Sequence, residues 1–450
     1  MSTHTVTHLL LVGTYTTELP HVRGEGSGVY GVLFDSNSGR FCEQAPSSSS
    51  SKAHLLSVCE NPSFLITASL CQADASVDHT VVLVAHEQER GDGHVSVYDS
   101  EALLSAASAQ DCAAEHSTAT LVDPLLMCSS HGVHPCHLSA QPLATTEDAI
   151  ATGMGTAEPS SPTSTLLVRV ANYAAGTTSP GSSAEFHLSI TGTHTDTDTD
   201  IATGTGTHTG RCTTSSITPC ALRMDHVRTR VLGEKGSGVV ASRQAGTHAH
   251  FNLPLPQRKG VALVDLGTDR VLCYAQDSDH LLTQWTMPPG SGPRFAVLNA
   301  AHRLLYVALE LSSEVAVCPL DEDRILQRLS TLPAANSTAS TVAHIAQVGH
   351  LLLLSNRGHD SVCVFRIDPA SGLLSFVRTV PSGGTEPRHF EVVDQRWLLV
   401  ANQNSNLLCV YRVDQLEGDL DVDSGHASLP TLIDQISVPT PVCITPLQCP

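Results

Sequence analysis

The 450-residue chain is 15% charged and 4% aromatic, and 24 Lys and Arg against 44 Asp and Glu leave a formal charge of −20. An anionic chain repels nucleic acid and anionic membrane at long range, so neither is expected as a partner. The opening MSTHTVTHLLLVGTYT has no basic patch and only a short apolar run, too little for a signal peptide or a membrane span, and a cytoplasmic location is expected.

Seven times along the chain an apolar, strand-like run ends in a polar tag: GTYT at Gly13, AHE at Ala85, ANY at Ala171, DLG at Asp265, LE at Leu309, NRG at Asn356 and ANQ at Ala401. Anchored at Leu266, Glu310, Arg357 and Gln403, the last four tags are 44, 47 and 46 residues apart. That period predicts four-stranded blades that bury their faces only against neighbours, hence an all-β, seven-bladed propeller over 1–450 as one unit. Seven blades of about 45 residues need about 315 positions, leaving roughly 135 for insertions and termini.

In chain order, Ser47 to Ser51 and Ala106 to Ala119 are small-residue stretches read as loops. Disordered insertions are expected at about 141–165 and 181–222; the second contains GTHTDTDTDIATGTGTHTG, which has no apolar period and cannot offset its ordering entropy by burial. The best-defined repeat is SGPRFAVLNAAHRLLYVALELSSEVAVCPLDEDRILQRLSTL: FAVL, RLLYVAL and EVAVCPL are strands, and RILQRLSTL a weaker outer strand. Antiparallel pairing predicts that Arg294 meets Glu310, and the same hairpin logic joins His250 to Asp265, His344 to Arg357 and Arg388 to Gln403. Polar residues from several blades then converge on one mouth of the channel.

Cys273, Cys318, Cys363 and Cys409 recur at steps of 45, 45 and 46, on equivalent strands too far apart to bridge, and read as reduced core thiols. CSSHGVHPCH, with Cys128, His131, His134, Cys136 and His137, lacks the paired spacing of a metal site. Asp196, Asp198 and Asp200 lack the glycine and glutamate of a calcium loop, so no metal and no cofactor are expected. GEGSG at Gly24 to Gly28 and GSG at Gly236 to Gly238 lack the lysine of a phosphate loop, and no G-x-S-x-G nucleophile elbow occurs.

GTYT with HVRGEGSGVYG, SHGVHPCHLS with VANY, RQAGTHAH with DLGTDRVLCY, GPRF with VALELSSEV, SNRGHDSVCVFRIDPASG, EPRHF with VANQNSN, and VPTPVCI together resemble the seven-bladed lactonase family, which includes bacterial 6-phosphogluconolactonase and fungal carboxy-muconate lactonizing enzyme. The resemblance implies a site of one His, two Arg and one Glu, carried here by His250, Arg294, Glu310 and Arg357. His248, Arg388 and His344 are substrate-binding candidates. The chain departs from the family pattern at Thr247 and at His344, where an acidic residue is expected.

An oxygen-rich, anionic lactone calls for forked positive charge, and hydrolysis needs an activated water and a donor for the oxyanion. His250 is the expected acid or base, Arg294 the oxyanion partner, and Glu310 either orients Arg294 or holds the water. The expected activity is hydrolysis of a small anionic sugar-acid lactone such as 6-phosphogluconolactone. A muconate-type cycloisomerase and a non-catalytic scaffold stay open, and the oligomeric state is undetermined.

Overall fold

The computed structural model describes residues 7–19, 22–42, 53–71, 78–88, 92–112, 121–143, 165–173, 180–191, 207–211, 221–233, 235–333, 339–417 and 429–449. Its strands form seven antiparallel blades. In blade 5, Pro293–Asn299 is innermost, followed by Leu304–Leu309, Glu314–Pro319 and Gln327–Ser330. The second strand is buried on both faces and the outermost alternates intermediate and exposed residues, as a blade inside a ring requires. Innermost strands of successive blades pack on one another all the way round the ring.

Closure uses both ends of the chain. Pro441–Gln448 is the innermost strand of blade 1 and pairs with Thr7–Thr14, which pairs in turn with Gly28–Asp35. Sealing the sheet this way removes an exposed edge. Thr445 Oγ1 then bonds the Leu65 carbonyl of blade 2 at 2.9 Å.

Cys273, Cys318, Cys363 and Cys409 are buried, unbridged thiols on the third strands of blades 4 to 7. Each of those strands is preceded by a residue in the left-handed region: Asp269, Ser313, Asp360 and Asn406, with φ of 57°, 52°, 56° and 56°. Short polar side chains suit this conformation, and here they also reach the next blade. Asp269 accepts from the Gly292 N–H at 2.7 Å, Asp360 from Glu386 at 2.8 Å and Asn406 from Thr440 at 2.8 Å, while Ser313 Oγ donates to the Ser340 carbonyl at 2.6 Å. These bonds pin the approach to each following innermost strand.

Three expectations are corrected. Within 181–222, Ser182–Thr191 is the third strand of blade 3, because Ala184, Phe186 and Leu188 alternate inward and are buried; Thr207–Arg211 adds an edge strand beyond Ala221–Val231. In 141–165, Gln141, Pro142 and Thr165 belong to strands. The Ala-rich stretch from Ala106 begins inside a helix, Ser100–Cys112, whose Leu103, Ala106 and Ala107 are buried beside Tyr98; alanine's helix preference outweighs the loop reading. Ser47 to Ser51, 144–164, 192–206 and 212–220, with Asp196, Asp198 and Asp200, lie outside the described residues.

Candidate active site

The innermost strands share an irregularity that builds the site. Each ladder skips residues near its start: Ser63 between Pro62 and Phe64, Cys136 between Pro135 and His137, His250 between Ala249 and Phe251, Arg294 between Pro293 and Phe295, Arg388 between Pro387 and His389, and Val442 between Pro441 and Cys443. A bulge inserts an unpaired residue and re-aims its side chain. All six skipped residues line one pocket at the channel mouth, together with Phe64, Glu87, Phe295 and His389.

In five blades the residue after the bulge points deeper, and in blade 6 the second of two skipped residues, His344, does so. Phe64, His137, Phe251, Phe295, His344 and His389 touch in that order around the channel, with ring centroids 4.6, 3.9, 4.6, 5.2 and 4.1 Å apart, and His389 returns to Phe64 at 6.2 Å. This closed circuit of rings floors the cavity. Burial, reinforced by Arg294, holds His137 and His344 well below the usual histidine range, and His389 at about 3.

Arg294 stands at the wall with its guanidinium 4.8 Å from the Phe295 centroid. Its Nε lies 2.9 Å from Glu310 Oε2, and its Nη1 donates to the Ala343 carbonyl. Glu310 also receives Arg243 at 2.7 Å and Arg357 at 3.2 Å. Burial alone would raise the Glu310 carboxyl, but Arg357, Arg243 and Arg294 outweigh it and hold it well below its ordinary value. Burial brings Arg294 down to about 9 despite Glu310. His250, also buried and facing Arg294, is held well below the usual histidine range and is neutral; Cys136 Sγ lies 3.8 Å from its Nδ1.

Across the cavity, Arg388 Nη2 donates to the Tyr15 hydroxyl at 2.6 Å, and that hydroxyl donates to Glu87 Oε2 at 2.7 Å. Burial opposes charge on Arg388, but Tyr15, Glu87 and Glu310 outweigh it and raise its pKa.

The structure thus brings His250, Arg294 and Arg388 to one cavity, with Glu310 and Arg357 bonded behind Arg294. Of the four hairpin pairs expected, only Arg294 with Glu310 forms. Asp265 instead accepts from the His248 backbone N–H at 2.7 Å, and Arg357 donates to the Val342 carbonyl. Arg388 turns to Tyr15, and Gln403 to Asn404. The bulges displace each side chain from its ladder partner. His344 does not line the cavity: in blade 6 the ladder skips both Ala343 and His344, which drops His344 into the floor. His248 also lies off the cavity, stacked on Tyr173 at 4.3 Å and 12°. Glu87, Tyr15, Arg243 and Cys136 were missed as site residues. The recurring triplets PSF, PCH, AHF, PRF, PRH and PVC carried the signal for Cys136.

Residues 208–446, more than half the chain, match the family described as "Lactonase, 7-bladed beta-propeller". The chain belongs to this family. It is 34% identical to 6-phosphogluconolactonase of Bacillus subtilis over 212 residues, 45% of this chain and 58% of that protein. An uncharacterized protein of Staphylococcus saprophyticus is 32% identical over 167 residues, 36% of this chain and 48% of the other. The chain therefore spans about half the length of the curated relatives it matches. Among solved structures, the periplasmic gluconolactonase of Pseudomonas aeruginosa superposes with a TM-score of 0.62 at 23% identity, covering 99% of this chain and 100% of that one. A putative 6-phosphogluconolactonase from Bacteroides fragilis gives 0.61 at 20%, covering 99% of each. At these identities the likeness is one of fold, and in this lactonase family chain the conserved architecture extends to blades 1 to 3, which lie largely outside the family match.

Proposed function

We propose that the chain hydrolyses a small anionic sugar-acid lactone of the 6-phosphogluconolactone type. The observation that carries this reading is the cavity itself, where a neutral imidazole, the buried guanidinium of Arg294 and the half-buried guanidinium of Arg388 converge from three blades. Forked guanidinium groups suit the carboxylate or phosphate of such a molecule and the oxyanion formed on water attack. His250, kept neutral, accepts a hydrogen bond from the attacking water. Arg294 faces the developing oxyanion, and Glu310 fixes Arg294 rather than holding water, because three guanidiniums already engage its carboxylate. Arg388 anchors the substrate, with Arg357 supporting Glu310.

Turnover of 6-phosphogluconolactone by the purified protein, followed against spontaneous hydrolysis, tests the reading. Acceleration of several orders of magnitude is expected. A rate equal to the blank, on this and on a plain sugar-acid lactone, refutes it.

A further inference from the structure

Glu87 was in none of the sequence-derived site assignments, yet it occupies in blade 2 the position Glu310 occupies in blade 5. Each follows the last residue of a second strand, His86 paired with Pro62 and Leu309 paired with Pro293. Each donates its backbone N–H to the segment before the bulge, Glu87 to the Asn61 carbonyl at 3.0 Å and Glu310 to Gly292 at 2.7 Å. The two glutamates are thus equivalent by architecture and opposite in circumstance. Glu310 is engaged by Arg243, Arg294 and Arg357, and a carboxylate so stabilised is a weak proton acceptor. Glu87 lines the cavity, and its partner there is a phenol.

The Tyr15 hydroxyl has a single proton. Since Arg388 has only donors, Tyr15 accepts from Arg388 and donates to Glu87 Oε2, which fixes the direction of the chain. Burial raises the Tyr15 pKa well above its usual value, so the phenol keeps that proton. One carboxylate oxygen is held, and among the described residues Oε1 accepts no hydrogen bond. The charged and titratable groups around Glu87 are Tyr15 after the second strand of blade 1, Cys136 of blade 3, His250 of blade 4, Arg294 of blade 5, and Arg388 and His389 of blade 7. Of these, His250 is poorly suited to take up a proton, because its cation would be buried beside Arg294.

Resting on the lactonase reading, we propose that Glu87 is a catalytic residue, the base that deprotonates the attacking water, with Tyr15 and Arg388 positioning it. The water gives one proton to Glu87 while its oxygen forms a bond to the lactone carbonyl carbon, placing the electron pair on the carbonyl oxygen. Collapse of that tetrahedral adduct restores the carbonyl and breaks the ring C–O bond. The proton on Glu87 passes to the departing alkoxide oxygen, giving the hydroxy acid, whose carboxyl proton is lost to solvent. No oxidant or further reactant is required.

The test uses the full chain and a lactone the parent hydrolyses. Glu87→Gln keeps the size of the side chain and an oxygen for Tyr15, so a merely structural role survives it. A loss of about 10²-fold or more in kcat is expected, with KM and the unfolding midpoint little changed. Glu87→Ala should be equally slow, and added formate, a small carboxylate, should restore part of its rate. Tyr15→Phe should lower kcat by a smaller factor. A Glu87→Gln protein within about threefold of the parent kcat overturns the assignment to Glu87 and leaves the lactonase reading standing. A parent with no lactone turnover overturns both.

Discussion

Acidification from pH 7.5 to 5.5 should destabilise the fold strongly. Among the described residues, burial holds five deeply buried histidines in the uncharged form: His137, His250 and His344 well below the ordinary range, His86 at about 4 and His389 at about 3; half-buried His187 is lowered in the same sense. A group depressed in the folded state contributes stability that is present above its unfolded pKa, near 6.5, and is lost as pH falls toward the folded value. Each such histidine then removes about 1.4 kcal/mol over these two pH units, or about 7 kcal/mol for the five. Glu391 works the other way: burial raises it to about 7, so its contribution grows on acidification, by about 2 kcal/mol. Asp265, also raised by burial, acts in the same sense as Glu391. The net expectation is a loss of about 5 kcal/mol, comparable to the whole stability of many domains. Urea titrations at the two pH values measure it. With a slope at or above about 3 kcal/mol per molar, the midpoint should fall by at most about 1.7 M. His389→Phe should reduce the pH sensitivity by one histidine's share. Equal midpoints at the two pH values would refute the argument that these imidazoles stay neutral in the fold.

Arg294→Ala and His250→Ala should each cost roughly 10²-fold or more in kcat/KM on a hydrolysed lactone, and the double variant should lose less than the product, since both act on one step; full activity in either single variant excludes the assignment. Arg294→Lys should remain impaired because it lacks the planar fork that meets Glu310 and Ala343, which kinetics on the purified variant will check. Glu310→Gln leaves three guanidiniums facing a neutral amide and should destabilise by about 3–5 kcal/mol, read as a lowered urea midpoint. Removing Pro441–Gln448 should abolish cooperative unfolding, since it strips the innermost strand from blade 1 and opens an edge; a truncated chain with the parent's melting profile would show that closure lies elsewhere.

The fold was legible because blades 4 to 7 repeat with little decoration. Leu304–Leu309 and its counterparts are continuous apolar runs between polar turns, and the evenly spaced thiols gave the period independently. Blade 3 was obscured where SSAEFHLSIT dilutes its alternation with serines and runs into a Thr- and Asp-rich segment. Arg294 with Glu310 could be paired from sequence because Glu310 lies just past the hairpin. His344 could not be placed, since a two-residue skip moves it one level down and no local propensity announces the skip. Glu87 was hidden for another reason: its partners Tyr15 and Arg388 are 72 and 301 positions away, and they meet only because the ring closes.

One residue per blade is left outside the ladder at the channel mouth in six of the seven innermost strands, and this separates chemistry from architecture. A skipped residue forms no paired rung with its neighbour strand, so exchanging serine, cysteine, histidine, arginine or valine there alters the inventory of functional groups without rewriting the sheet. The mouth is in effect a set of interchangeable sockets on a fixed hub, in which reactivity can drift one socket at a time while the strands that carry it go on folding as before.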